Sequence, residues 1–236
     1  MLNEQMKQFK SPGPDFRGAP FWAWNAKLEP EELIRQIRLM KEMGLGGFFM
    51  HARVGLNTEY LGKEWFECVK ACIAEAEKLG MNAWLYDEDR WPSGAAGSFV
   101  TREDRFKQKE LYPELLENME QSCGEGNTLA WYAVRLDGMK MISFHRIENP
   151  SETVLPPGGK LLRCCWRYAE KSSWFNGETY LDTMNEDAVK RFVEVTHEAY
   201  RREIGGKFGK TVPGIFTDEP CYNHHAGAMN LPWTVS

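Results

Sequence analysis

The sequence lacks a glycine-rich phosphate turn, a Gly-x-Ser-x-Gly elbow, a Cys-x-x-Cys pair and any apolar run long enough to cross a membrane. The first absence leaves a nucleotide-binding reading without its loop. The second leaves an α/β-hydrolase reading without its nucleophile. Cys68, Cys72, Cys123, Cys164, Cys165 and Cys221 show no Cys/His metal spacing, so reduced structural thiols are expected. Cys68 and Cys72 stand four apart in a predicted helix and share its inner face. Positive charge is short as well. The net charge of −5 argues against a nucleic-acid partner held through phosphates. Residues Met1 to Lys10 are polar and carry no apolar signal core, so the chain reads as cytoplasmic, with no membrane partner.

Hydrophobic residues make up 42% of the 236, enough for one sizeable core rather than a disordered chain. Aromatics reach 13%, with nine tryptophans. Two stretches stand out. In Val212–Pro220 an apolar pair, Ile215-Phe216, runs into Thr217, Asp218, Glu219 and a strand-stopping proline. In Ala83–Asp89 an apolar run ends on Asp87, Glu88 and Asp89. A carboxylate at the mouth of a buried strand is costly without a partner or a task. One such cluster would read as helix capping; two, with Trp22, Trp24, Trp84 and Trp91 nearby, favour a shared pocket. Aromatic faces beside carboxylates suit sugar rings, although core packing explains some of these tryptophans.

In chain order, residues 1–19 are a polar lead-in. Strands are expected at Phe21–Trp24, Phe48–Met50 and Ala83–Tyr86. Amphipathic helices follow the first two, opened by Pro30 and closed by Gly44 and Gly80. The strands are continuously apolar, as parallel strands covered on both faces should be. Connections after the helices are short, and the loops after the strands carry the unusual residues. That pattern predicts an α/β fold of the (β/α)8 TIM-barrel type over residues 20–236. A doubly wound sheet is the alternative, disfavoured by the glycine-free turn after the first strand.

Arg102–Gln121 reads as charged and partly helical. Asp137-Gly138, between Thr128–Leu136 and Lys140–Ile147, predicts a hairpin. With Pro156-Pro157-Gly158-Gly159 and a strand over Lys160–Glu170, it marks a small β-rich insertion at about 128–177; a separate domain is the competing reading. Thr179–Asp182 is the expected fourth barrel strand. A helix capped by Asn185 and ended by Gly205-Gly206 follows, with Ile215–Thr217 as the fifth strand. Five strands leave the barrel incomplete, so the chain is expected to show little activity alone and to aggregate, to associate through its open edge, or to need a second fragment, the missing C-terminal part of a longer enzyme.

Glycoside hydrolysis needs two carboxyl groups flanking one bond. Glu219 and one of Asp87, Glu88 or Asp89 come from different strand ends, as barrel catalysis requires. His51 and Arg53 suit hydroxyl or carboxylate contacts; a hydrogen-bonded strand-end histidine is the competing reading for His51. His224-His225 reads as loop, with a metal left open by the neighbouring acids.

Four blocks carry a family resemblance: Phe21-Trp22-Ala23-Trp24-Asn25, Gly46-Gly47-Phe48-Phe49-Met50-His51-Ala52-Arg53, Trp84 to Gly94, and Gly214-Ile215-Phe216-Thr217-Asp218-Glu219-Pro220. Together, in this order, they resemble glycoside hydrolase family 106, the α-L-rhamnosidases. The resemblance covers most of residues 16–222, and its most specific block is Tyr86-Asp87-Glu88-Asp89 with Trp91-Pro92-Ser93-Gly94. It implies cleavage of terminal L-rhamnose from a carbohydrate substrate by two acids, with Glu219 a catalytic carboxylate and Glu88 its weaker-supported partner. Trp24, Asn25, His51, Arg53, Tyr86, Asp87, Asp89, Trp91 and Asp218 are the expected substrate contacts. It also implies a bound calcium, whose ligands do not map onto this chain. Family members are much longer. Hydrolysis of another sugar on the same scaffold, and a sugar-binding fragment without turnover, remain the alternatives.

Overall fold

The computed structural model describes residues 2–122, 124–222 and 231–234. Cys123 and the Asn223-His224-His225 stretch lie outside the described residues. An N-terminal helix α1 (Leu2–Lys10) precedes the first strand, β1 (Phe21–Trp24). Then follow α2 (Pro30–Glu42), β2 (Gly47–Ala52), α3 (Lys63–Leu79) and β3 (Asn82–Asp89). The expected punctuation is in place: Pro30 opens α2, and Gly80 closes α3 with a left-handed φ of 60°.

β1, β2, β3 and the two-residue β8 (Ile215–Phe216) form a four-stranded parallel sheet in that order. Side chains alternate between its faces. Trp22, Trp24, Phe48, Met50, Ala83 and Leu85 point to one face and pack under Leu33 and Ile37 of α2 and Trp65, Val69, Cys72 and Ile73 of α3. Tyr200 and Ile204 of α5 (His197–Ile204) complete this core. Cys68 and Cys72 are both buried there, on the inner side of α3. The opposite face carries Phe21, Phe49, His51, Trp84, Tyr86 and Phe216 in one aromatic array. Phe21 is 52% exposed, so this face is not covered as the continuous apolar runs predict.

Between β3 and β8 the chain builds a second, antiparallel sheet of five strands in the order β6-β5-β7-β4-β9. Its members are β4 (Lys109–Leu116), β5 (Asn127–Asp137), β6 (Lys140–Ile147), β7 (Gly159–Tyr168) and β9 (Leu231–Trp233). The β5–β6 hairpin turns at Gly138, φ +58°, as Asp137-Gly138 predicts.

This arrangement overturns the (β/α)8 TIM-barrel expectation. Among the described residues only four parallel strands form, the sheet they make is open, and a five-stranded antiparallel sheet accompanies it. Thr179–Asp182 is not a parallel strand. Leu181 makes a single antiparallel bridge to Lys107, and the amides of Gln108 and Asp182 bond across to Tyr180 and Phe106. Burial of Tyr180 and Leu181 gave this segment its strand-like composition. The charged segment expected to be partly helical holds β4 between two single 3-10 turns, Asp104–Phe106 and Met119–Gln121. Among the described residues, β9 pairs with Lys109–Leu111, and Pro113 pairs with Cys164 of β7.

The helix after Asn185 is two: α4 (Glu186–Val195) and α5. They break at Thr196, whose hydroxyl donates to the Phe192 carbonyl. Among the described residues, no helix is long and apolar enough to cross a membrane.

Candidate active site at the ends of the parallel strands

β3 and β8 pair with Tyr86 opposite Phe216. Parallel pairing therefore brings Asp87 and Glu88, and Thr217, Asp218 and Glu219, to the same end of the sheet. Tyr86 lies on the aromatic face, and its hydroxyl donates to Asp218 Oδ2 at 2.7 Å. His51 stacks on the Tyr86 ring with centroids 3.6 Å apart, and its Nε2 lies 3.1 Å from the Arg90 carbonyl. Burial lowers the His51 pKa from 6.5; the Arg90 carbonyl opposes this, Arg53 adds to it and Asp218 opposes it. Burial, and then the bond to Asp218, raises the Tyr86 hydroxyl well above its ordinary value.

Asp87 is fully buried. Its Oδ1 accepts from Ser93 Oγ at 2.5 Å; its Oδ2 accepts from Thr217 Oγ1 at 2.6 Å and faces His197 Nε2 at 3.2 Å. Ser93 staples the two strand ends. Its Oγ accepts the Asp218 amide, its own amide donates to the Asp218 carbonyl, and its carbonyl accepts the Tyr180 hydroxyl.

Glu88 is buried beneath the loop that follows β3. Its Oε1 accepts the amides of Asp89 and Gly97, and its Oε2 those of Gly94 and Ala96, at 2.6–2.9 Å. Burial pushes its pKa up to about 7 against the downward pull of these four amides. Both oxygens are engaged in holding the loop. Gly94 is required within it: at φ +149°, a Cβ would lie within 3.0 Å of the Tyr180 ring.

Glu219 differs from its neighbours. It is exposed, sits at φ +45°, and has no side-chain partner among the described residues. Arg90, at φ +98°, Ala96, at φ +51°, and Asn176, at φ +53°, also have positive φ at this site. Such backbone is sparsely populated by L-residues and collects at functional sites.

The rim is aromatic and cationic. Trp91 meets Trp174 edge-on at 6.0 Å, and the Arg53 guanidinium lies 5.8 Å from the Trp174 ring centre. Asp89 accepts from Asn176 at 2.9 Å. The geometry thus gathers His51, Tyr86, Asp87 and Asp218 into one network. Glu88 lies beneath it, Glu219 opens outward, and Arg53, Asp89 and Trp91 sit along the rim. Trp24 is placed elsewhere, in the helix-covered core 4.9 Å from Trp65. Asn25 is exposed and makes no side-chain hydrogen bond among the described residues.

Sequence reasoning missed His197, Thr217, Trp174 and Asn176. Trp174 and Asn176 fall in a Ser/Asn/Gly turn, which is a local signal. His197 reaches Asp87 only through the break at Thr196, and nothing near it in sequence announces that contact.

Among the described residues, no group of three or more His, Cys, Asp or Glu is arranged to hold a metal ion. The described side chains thus offer no such cluster for the calcium that the family resemblance implies.

No family model matches the chain, and no curated protein does. A solved structure of a rhamnosidase from Novosphingobium sp. PP1Y is similar over 55% of this chain, at 19% identity and a TM-score of 0.38. The similar region spans 14% of that chain.

Proposed function

We propose that the end of the parallel sheet is a carbohydrate site of the glycoside hydrolase type, with L-rhamnose as its sugar and Glu219 as its proton-exchanging carboxylate. One observation carries this reading: an exposed carboxylate, Glu219, without a side-chain partner among the described residues, adjoins a fixed one, Asp218, at a strand end walled by aromatic rings. A glycosidase needs two carboxyl groups in different environments. Asp218, oriented by Tyr86, and Glu219, exposed, meet that need better than Asp87 and Glu88, whose oxygens are occupied. The resemblance of the four motif blocks to the α-L-rhamnosidases supplies the sugar class.

A second reading is favoured by the same occupancy. With Asp87 and Glu88 engaged in structure, the chain would bind a sugar without turning it over. The test is hydrolysis of aryl α-L-rhamnoside against other aryl glycosides, together with binding of free L-rhamnose. Turnover that falls about a hundredfold or more in Glu219→Gln supports the catalytic reading. Binding without turnover supports the second. Unchanged turnover in that variant removes Glu219 from the mechanism, and no sugar binding at all overturns both.

A further inference from the structure

Beside the strand ends, Arg90 and the segment from Lys171 to Gly177 enclose an open cavity of about 490 Å³. Arg90, Lys171, Ser172, Ser173, Asn176 and Gly177 line it, so the lining is cationic and holds no acid. Arg90 is incompletely satisfied. Its Nη1 donates to the Ser173 carbonyl, while its buried Nε has no partner among the described residues. Buried donors are rarely left without an acceptor. Lys171 reaches Glu178 at 3.2 Å and shares that carboxylate oxygen with Lys107, which also pairs with Asp104 at 2.7 Å. The cavity also adjoins the site through Arg90, whose carbonyl is the group facing His51 Nε2 and the Tyr86 hydroxyl.

We propose that this cavity is a subsite for an acidic sugar, taking the carboxylate of a uronic acid unit next to the sugar held at Asp218 and Glu219. The inference rests on the carbohydrate reading above and deepens it. With Nη1 engaged and Nε buried, Nη2 is the guanidinium nitrogen left to donate, and a guanidinium donor matches a carboxylate in charge. Lys171 supplies the second positive charge. Trp174, 42% exposed, offers a face on which the sugar ring can lie. A sulfate ester carries similar charge with different geometry, and the test separates the two.

The experiment is a titration of the isotopically labelled chain, followed by amide NMR shifts, with D-glucuronate, D-glucose and D-glucose 6-sulfate at low salt. The expected result is glucuronate binding about tenfold more tightly than glucose. Its shifts should centre on Arg90, Lys171 and Asn176, and its advantage should fade at high salt. Arg90→Gln and Lys171→Met should each reduce the preference. Lys171 is 61% exposed at its side chain, so that variant keeps the fold should the Arg90 change disturb it. Equal binding of glucuronate and glucose, or an unchanged preference in Lys171→Met, overturns the proposal. Glucose 6-sulfate binding as tightly as glucuronate overturns the carboxylate assignment. If L-rhamnose binds without any acid preference, this inference fails alone; if no sugar binds, the carbohydrate reading fails with it.

Discussion

Glu88 and His51 show how residues at one strand end take opposite parts. Glu88→Ala would leave four buried amides without their acceptor. The expected cost is about 3 kcal/mol or more, with faster hydrogen exchange at Gly94, Ala96 and Gly97. Unchanged protection of those amides would remove Glu88 from its anchoring role. His51 sets a pH dependence. Its folded pKa is lowered, so the unfolded chain binds the proton more readily; stability from this group is present above pH 6.5 and lost as pH falls through the lowered value. Glu88 acts in the other sense, since its raised pKa makes stability fall as pH rises from 4.5 to about 7. The comparison is therefore between wild type and His51→Gln. The wild-type thermal midpoint should drop further than the variant's between pH 7.5 and pH 5.5, and parallel curves would show that His51 does not titrate with folding. The grouping of Tyr86, Asp87 and Asp218 was legible because clustered acids at the ends of apolar strands are costly without a reason. The structural use of Glu88 was not, because four backbone amides leave no trace in side-chain identity.

At the scale of elements, continuous apolar runs joined by amphipathic helices made β1, β2 and β3 readable as parallel strands. The same signal misled at Thr179–Asp182, since a buried bridge and a buried strand need similar residues. β4 was hidden by Glu110, Glu114 and Lys109, all buried, because a strand with charged residues facing inward has no apolar alternation. Its charges are answered across the sheet. Arg163 of β7 bonds Glu114 at 2.8 Å, with both side chains at most 7% exposed. Arg163→Met would remove the buried cation from that carboxylate, to which Ser122 Oγ also donates at 3.2 Å, with an expected loss of about 3–5 kcal/mol in chemical denaturation. The exposed Arg35–Glu32 pair serves as the control, and Arg35→Ala should leave stability almost unchanged. Equal effects from the two substitutions would show that the inward charges of the second sheet are solvated after all.

For the molecule as a whole, the two faces of the parallel sheet are unequal. One is sealed by α2, α3 and α5; the other presents Phe21, Phe49 and Phe216. Phe21 is 52% and Phe216 36% exposed, so the folded chain should bind an apolar reporter dye. Phe21→Ser with Phe216→Ser should remove most of that signal while changing the melting point little, because neither ring is fully buried. Retained dye binding would place the apolar surface elsewhere. The Ser93 staple has a different consequence, one of timing. Ser93 and its partner Asp218 are 125 residues apart, and the other hydroxyl on Asp87, from Thr217, is 130 residues away. A nascent chain leaving the ribosome carries the first half of the pocket through the synthesis of four strands of the second sheet before the other half exists. Until then the buried carboxylate of Asp87 lacks its Thr217 and His197 partners, which makes half-synthesised chains the form that cellular quality control has longest to find.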